Sequence, residues 1–208
     1  MKSHLVYLID ENDEQRRAFS LVLNELFKGS GLLIEGRVPL PKPQDYAAVI
    51  ASGDVSALIL DQKMEDGGVA YSGTQLSGFL RGIVPKLPIY ILSNYTDDYA
   101  LFEDGEGYVE DLISKRSVTD PTSKEAQIFK ARFLRRIGGF VDVVEQRAAR
   151  YHDLLVKSLR ETLSPDELAE MGILESERAI PQQAMELRDI HDLSAAIEEL
   201  RKRIKSGS

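Results

Sequence analysis

The chain has no cysteine and no tryptophan, and positive charge is scarce: 26 Lys and Arg stand against 34 Asp and Glu, a net charge of −8. Without cysteine there is no disulfide, no thiolate nucleophile and no cysteine zinc site. The acidic balance argues against a nucleic-acid surface, because duplex binding needs clustered Lys and Arg to displace counterions. The acidity is also uneven. Up to Ser123 there are 11 basic and 19 acidic residues, and beyond it 15 of each. Long apolar runs are missing too. The opening MKSHLVYLID is too short an apolar stretch for a signal peptide, and nothing approaches the roughly 18 consecutive apolar residues of a membrane span. The expectation is a cytoplasmic chain that binds neither nucleic acid nor membrane.

What is present suffices for a core. A chain of 208 residues that is 43% hydrophobic and 29% charged should fold, with room for one standard domain and an accessory piece. His4 to Ile9 is a short apolar run that ends in Asp10 and Glu11, as expected of a strand buried on both faces. From Asp13 the period becomes helical through Phe19, Val22, Leu23, Leu26 and Phe27, and Gly29-Ser30-Gly31 stops it. Leu32 to Val38 reads as a second strand and Gln44 to Ala51 as a short helix. Ser56 to Asp61 is a third strand, again ending in a carboxylate. Thr74 to Ile83 is a helix, Pro88 to Ser93 a fourth strand, Asp97 to Glu103 a short helix, and Tyr108 to Ile113 a fifth strand with Lys115 just beyond. Strands alternating with helices at these lengths imply a parallel sheet covered on both faces.

After Pro121 the pattern is purely helical. A long helix is expected over about 124–163, its apolar stripe running through Ile128, Phe133, Ile137, Phe140, Val144, Ala148, Tyr151, Leu155 and Leu159. Gly138-Gly139 interrupts it and predicts a bend or a close helix contact. Ser164-Pro165-Asp166-Glu167 has the form of a helix start, for a short helix at about 165–171. A last helix at about 181–205 carries Leu187, Ile190, Leu193, Ile197, Leu200 and Ile204 as a near-heptad seam. The division is therefore an α/β domain over 1–120 and an extension over 121–208, a helical hairpin or coiled coil whose stripe packs within the chain or between two copies.

In an open parallel sheet the binding crevice lies at the carboxyl ends of the strands. Asp10 and Glu11 follow the first strand, Asp61 ends the third, Ser93 ends the fourth and Lys115 follows the fifth, so five polar groups meet on one edge. Three carboxylates that close repel one another unless a cation sits among them, and oxygen-only ligation favours Mg²⁺ on Asp10, Glu11 and Asp61. A carboxylate beside Mg²⁺, a hydroxyl and an ammonium suits phosphoryl transfer, with Asp61 as the nucleophile.

The residues that carry this site, IDEN after the first strand, LILDQKM at the third, ILSNY at the fourth and DLISKR at the fifth, resemble the receiver domain of two-component response regulators. The resemblance covers about the first 118 residues. It implies a flavodoxin-like five-stranded parallel sheet in the order 2-1-3-4-5, Mg²⁺ on Asp10, Glu11 and Asp61, and phosphorylation of Asp61 by a histidine kinase or phosphotransfer protein. Ser93 would be the switch hydroxyl and Lys115 the phosphate-pairing cation. The chain departs from the pattern at four places. Arg116 stands where proline commonly follows the lysine, and Leu112 holds the aromatic switch position. The loop after Asp61 is long and rich in glycine, and the stretch before Asp61 is lengthened around PLPKP.

The leading expectation is a phosphorelay protein, not an enzyme beyond its own phosphorylation and dephosphorylation, that signals to a downstream protein through its helical extension, with homodimerisation through that extension as one route. A phosphorylation-independent docking or assembly module on the same fold is the alternative. A metal-dependent phosphohydrolase is a third, opposed by Lys63, which stands two residues after Asp61 where such enzymes usually place an acid. His152 and His191 read as solvated helix residues, and Tyr95 and Tyr99 as half-buried neighbours of the site.

Overall fold

The structure, a computed structural model, describes residues 4–94 and 109–177. The expected helix at Asp97–Glu103, Tyr95, Tyr99, His191 and the seam of 181–205 lie outside the described residues. Five strands form one parallel sheet in the order β2-β1-β3-β4-β5. They are β1 (His4–Ile9), β2 (Leu32–Arg37), β3 (Val55–Asp61), β4 (Ile89–Ser93) and β5 (Asp111–Ser114). Helices α1 (Asp13–Leu26), α2 (Tyr46–Ala51) and α3 (Gly73–Ile83) follow β1, β2 and β3, and α4 (Lys124–Ser158) follows β5. This is the flavodoxin-like doubly wound topology.

The sheet is buried on both faces, so its central strands are largely apolar, and alternation divides their side chains between two cores. Val6, Leu8, Ala57, Ile59, Tyr90, Leu92 and Ile113 meet α1 and α4 on one face. Ile9, Leu58, Leu60, Ile89 and Ile91 meet α2 and α3 on the other. Asn12 caps α1 by accepting from the Gln15 N–H at 3.0 Å, and Gly29 and Gly31 take positive φ in the turn beyond it. Ser72 and Gln75 close a reciprocal capping box at the start of α3.

α4 both covers the sheet and opens the extension. Its first four turns bury Ala126, Phe129, Phe133 and Ile137 against the sheet, where Phe133 sits 4.6 Å from the Tyr90 ring and 4.8 Å from the Phe27 ring. The buried line runs through Phe129, while the neighbouring Ile128 faces outward. Glu110, just ahead of β5, joins this helix to α3: one carboxylate oxygen accepts from Arg136 at 2.7 Å and from Arg81 at 2.9 Å. β5 runs over Asp111–Ser114, and just ahead of it the Glu110 N–H donates to the Ile89 carbonyl at 2.7 Å; Tyr108, the expected start, lies outside the described residues. Gly138 and Gly139 lie inside unbroken helix, and a Cβ built at either meets nothing within 4 Å. The expected close contact is thus absent among the described residues.

α4 ends at Ser158, short of 163, and the chain turns into a further helix, α5, over 165–177. Ser164 and Glu167 form its capping box, with the Ser164 N–H donating to Glu167 at 2.9 Å and the Glu167 N–H donating back at 3.3 Å. The two helices run antiparallel as a hairpin. Leu154 and Leu163 are buried near its turn, and Lys157–Glu167 (2.7 Å), Arg150–Glu170 (2.7 Å) and Arg147–Glu177 (2.5 Å) bridge the helices in succession. Among the described residues no helix is long and apolar enough to cross a membrane.

Two outcomes follow. Phe133→Ala should lower the unfolding free energy of the α/β domain by about 3–5 kcal/mol in denaturant titrations. A loss below about 1 kcal/mol would mean that the start of α4 is no part of that core. In the hairpin, the hydrogen bond from Lys157, with that from the Ser164 backbone, holds the Glu167 carboxyl down to about 2. A folded-state value below the unfolded one gives stabilisation that is present above about pH 4.5 and lost as pH falls towards 2. A carboxyl titration followed by NMR should find the Glu167 midpoint near 2, with the α5 amide signals moving in the same window. A midpoint near 4.5 would contradict the ion-paired hairpin.

Candidate functional site

Strand register brings the site together. Ile9 pairs with Leu60, so Asp10 emerges beside Asp61; Asp61 pairs with Leu92, one residue before Ser93; and Ser93 pairs with Ser114, one residue before Lys115. Four strand ends thus deliver Asp10, Asp61, Ser93 and Lys115 to one edge. All four are buried: Asp10 is 0% exposed, Ser93 2%, Asp61 5% and Lys115 6%.

The Lys115 ammonium is the centre of the arrangement. Its Nζ lies 2.6 Å from Asp61 Oδ1 and 3.3 Å from Asp10 Oδ2, and it donates to Gln15 Oε1 at 2.5 Å. The Phe19 ring lies under it, with 5.6 Å from Nζ to the centroid. Backbone N–H groups hold the remaining carboxylate oxygens: Asn12 N–H donates to Asp10 Oδ1 at 2.8 Å and Lys63 N–H to Asp61 Oδ2 at 2.7 Å. Arg16, on α1, donates to the Asp10 carbonyl at 2.8 Å and fixes the turn from which the Asp10 side chain leaves.

Electrostatics follow from burial. Desolvation raises the Asp10 carboxyl above its ordinary value, the Lys115 charge works against this, and the Asp61 charge adds to it. Desolvation also raises Glu11. For Lys115 desolvation alone would lower the ammonium, but the hydrogen bond and charge of Asp61, with those of Asp10, outweigh it and the net direction is upward. Lys115 therefore stays cationic, and with both aspartates ionised the trio carries a formal charge of −1.

Glu11 stands apart from the trio. Its Oε2 is buried with no hydrogen-bond partner. Among the described residues no three His, Cys, Asp or Glu side chains are grouped so as to hold a metal ion. As it stands, the lysine serves as the counter-ion of Asp10 and Asp61.

The long loop after Asp61 is folded down on the site. It makes a 3-10 turn at Met64–Gly67, with Met64 fully buried. Gly67 rests on Glu11, where a Cβ would come within 2.4 Å of the Glu11 Cβ, and Gly73 rests on the Asp61 carbonyl oxygen, where a Cβ would come within 2.3 Å. Neither place admits a side chain, which accounts for part of the loop's glycine content. Tyr71, in the same loop, donates to the Leu40 carbonyl, and Tyr46 accepts from the Leu40 N–H at 3.0 Å. The lengthened PLPKP segment is thereby tied to the loop. On the other side of the site, Leu112 is half-buried against the α2/α3 core, and Arg116 is exposed in a 3-10 turn, Lys115–Val118.

Sequence reasoning missed Gln15, Asn12 and the Lys63 N–H. Asn12 was legible as a polar residue ahead of a helix. Nothing in the sequence marks Gln15 as the partner of a lysine one hundred residues away.

No family model matches the sequence, and no curated protein matches it. Solved structures with a similar fold do exist. A BeF3-activated DrrB receiver domain is 15% identical, with 65% of this chain and 98% of that chain covered and a TM-score of 0.46. The receiver domain of NtrX from Brucella abortus is 18% identical, covers 62% and 96% of the two chains, and gives a TM-score of 0.43. Full-length FixJ from B. japonicum is 16% identical, covers 89% and 91%, and gives 0.44. At these identities and TM-scores the matches are likenesses only, and the fold rests on the strand order already described. The chain itself pairs a flavodoxin-like sheet, in the order β2-β1-β3-β4-β5, with a helical C-terminal region.

Proposed function

We propose that the protein is a phosphoacceptor of the response-regulator kind, in which Asp61 takes a phosphoryl group from a phosphohistidine or acyl-phosphate donor and the added charge is read out through the α4–α5 hairpin by a protein partner. One observation carries this reading: Asp61 lies at the carboxyl edge of the sheet with its two oxygens oriented by Lys115 Nζ at 2.6 Å and Lys63 N–H at 2.7 Å. An ammonium beside a carboxylate nucleophile is suited to neutralising the oxygens of a transferring phosphoryl group. Ser93, buried on the adjacent strand end, supplies the hydroxyl on this reading. The donor would be a histidine kinase or phosphotransfer protein.

A divalent cation, Mg²⁺ by the all-oxygen donor set, belongs to the same proposal; Asp10, Glu11 and Asp61 would hold it once Lys115 yields the two aspartates and Glu11 turns to join them, since the three are not grouped as they stand. Support comes from the partnerless buried Oε2 of Glu11 and from the excess of carboxylate over ammonium charge in the pocket. When bound, the ion would neutralise charge on the phosphoryl oxygens. Lys115 and the ion draw on the same two aspartates, so the protein's own contribution is to keep the ammonium close without surrendering the carboxylates to it.

The alternative, a docking module that never takes up phosphate, is favoured by one observation. Lys115 already pairs with both Asp10 and Asp61 and offsets one of their two charges without any ligand. Incubation with acetyl phosphate and Mg²⁺, followed by intact-mass analysis, separates the two. The wild type should gain one phosphoryl group and Asp61→Asn none. An unmodified wild type, under conditions where a control phosphoacceptor is labelled, would favour the docking module.

A further inference from the structure

An ammonium has three N–H donors, and in this pocket all three have acceptors: Asp61 Oδ1, Asp10 Oδ2 and Gln15 Oε1. The first two are carboxylates that the site needs for chemistry. The third is neutral, and it is placed with care. Gln15 sits in the first turn of α1, its N–H donating to Asn12 Oδ1 at 3.0 Å, while the Asn12 N–H donates to Asp10 Oδ1 at 2.8 Å. One short chain of hydrogen bonds therefore fixes Gln15 relative to Asp10, and Gln15 then fixes Lys115. Because an ammonium only donates, it is the amide oxygen of Gln15 that faces it.

In this arrangement Asp61 is not ready to react. Oδ2 is held by the Lys63 N–H and Oδ1 by Lys115. For attack on phosphorus the Oδ1 lone pair must be freed, yet the ammonium must remain within reach of the phosphoryl oxygens. An ammonium bound by carboxylates alone would stay on them.

We propose that Gln15 is a positioning residue for phosphoryl transfer, its amide oxygen retaining the Lys115 ammonium in the pocket while Asp61 Oδ1 is given up to phosphorus. The inference rests on the phosphoacceptor reading above. With an acyl phosphate as donor, Oδ1 forms the new bond to phosphorus and the bond between phosphorus and the acyl oxygen breaks. The carboxylate leaves with that electron pair, and no proton need move. The N–H that leaves Oδ1 turns to a phosphoryl oxygen, and the N–H on Gln15 stays where it is. A neutral acceptor suits this task because it adds no negative charge to repel the incoming phosphate.

The test uses the full chain, with Gln15→Met, which keeps the length of the side chain and removes the acceptor, and Gln15→Glu, which keeps an acceptor. Thermal melts confirm folding, with Gln15→Leu in reserve should the Met variant melt early. In the unphosphorylated protein labelled with ¹⁵N-lysine, the Lys115 ammonium should give a slowly exchanging signal that Gln15→Glu retains. In Gln15→Met its exchange should quicken by about tenfold or the signal should vanish. Phosphoryl uptake from acetyl phosphate with Mg²⁺ should slow about tenfold in Gln15→Met, the equivalent of one lost hydrogen bond to a charged group. The proposal is overturned if Gln15→Met keeps both the signal and the rate, or if both variants lose the signal alike, which would mean a merely structural role. Should the ammonium behave as expected while the wild type takes up no phosphoryl group, Gln15 still holds Lys115. The phosphoacceptor reading, and with it the role in transfer, is then what fails.

Discussion

Two aspartates at the ends of neighbouring buried strands, with one lysine between them, set the terms for this molecule. A parallel sheet covered on both faces gives β1 and β3 mostly apolar side chains and then turns Asp10 and Asp61 into the same small space. Left alone, two buried carboxylates would repel each other and be driven towards protonation. Lys115 brings the compensating charge from β5, two strands away from β3, so the ion cluster also ties the edge strand to the centre of the sheet. Such clusters gain little over apolar packing but cost several kcal/mol when one partner is removed, about 3–5 for a buried pair. The pocket is therefore a site that the fold cannot simply discard.

That constraint is linked by chain geometry to the rest of the protein. Lys115 begins a 3-10 turn that ends at the fully buried Val118, and the Ser123 hydroxyl, the cap of α4, donates to the Ser117 carbonyl at 3.3 Å. Four residues separate Val118 from Ser123, and the helix that starts there first seals the sheet with Phe129 and Phe133 and then becomes one arm of the hairpin. A change in the charge that Lys115 must balance would act next to the root of this helix. The hairpin presents Leu155, Leu159, Leu168 and Ile173 outward, together with surface ion pairs that are sensitive to salt and acid.

Much of this was legible in the residues, for identifiable reasons. Apolar runs ending in Asp10 and Asp61 were enough to place both at one edge, because parallel strands all finish on the same side. The helical stretch after Pro121 announced itself by period, although its buried line runs through Phe129 instead of Ile128 and it stops at Ser158. An apolar stripe cannot register a turn in which Leu159 stays exposed, and Gly138-Gly139, which looked like a break, is carried by the helix on either side. Glu110 meets arginines from α3 and α4, a contact no local pattern reveals. Gln15 was hidden for the same reason, since a glutamine in a first helical turn has no local mark of its long-range partner. The folded loop over Glu11 was visible only as surplus glycine, part of which the two close approaches of Gly67 and Gly73 explain.

The direct measure of the central claim, that Lys115 is the counter-ion on which the buried aspartates depend, is a double-mutant cycle of Lys115→Met and Asp61→Asn read by unfolding free energy at neutral pH. Lys115→Met alone should be strongly destabilising, and adding Asp61→Asn should recover part of the loss, a coupling of about 2 kcal/mol or more. Losses that simply add, within about 0.5 kcal/mol, would contradict it.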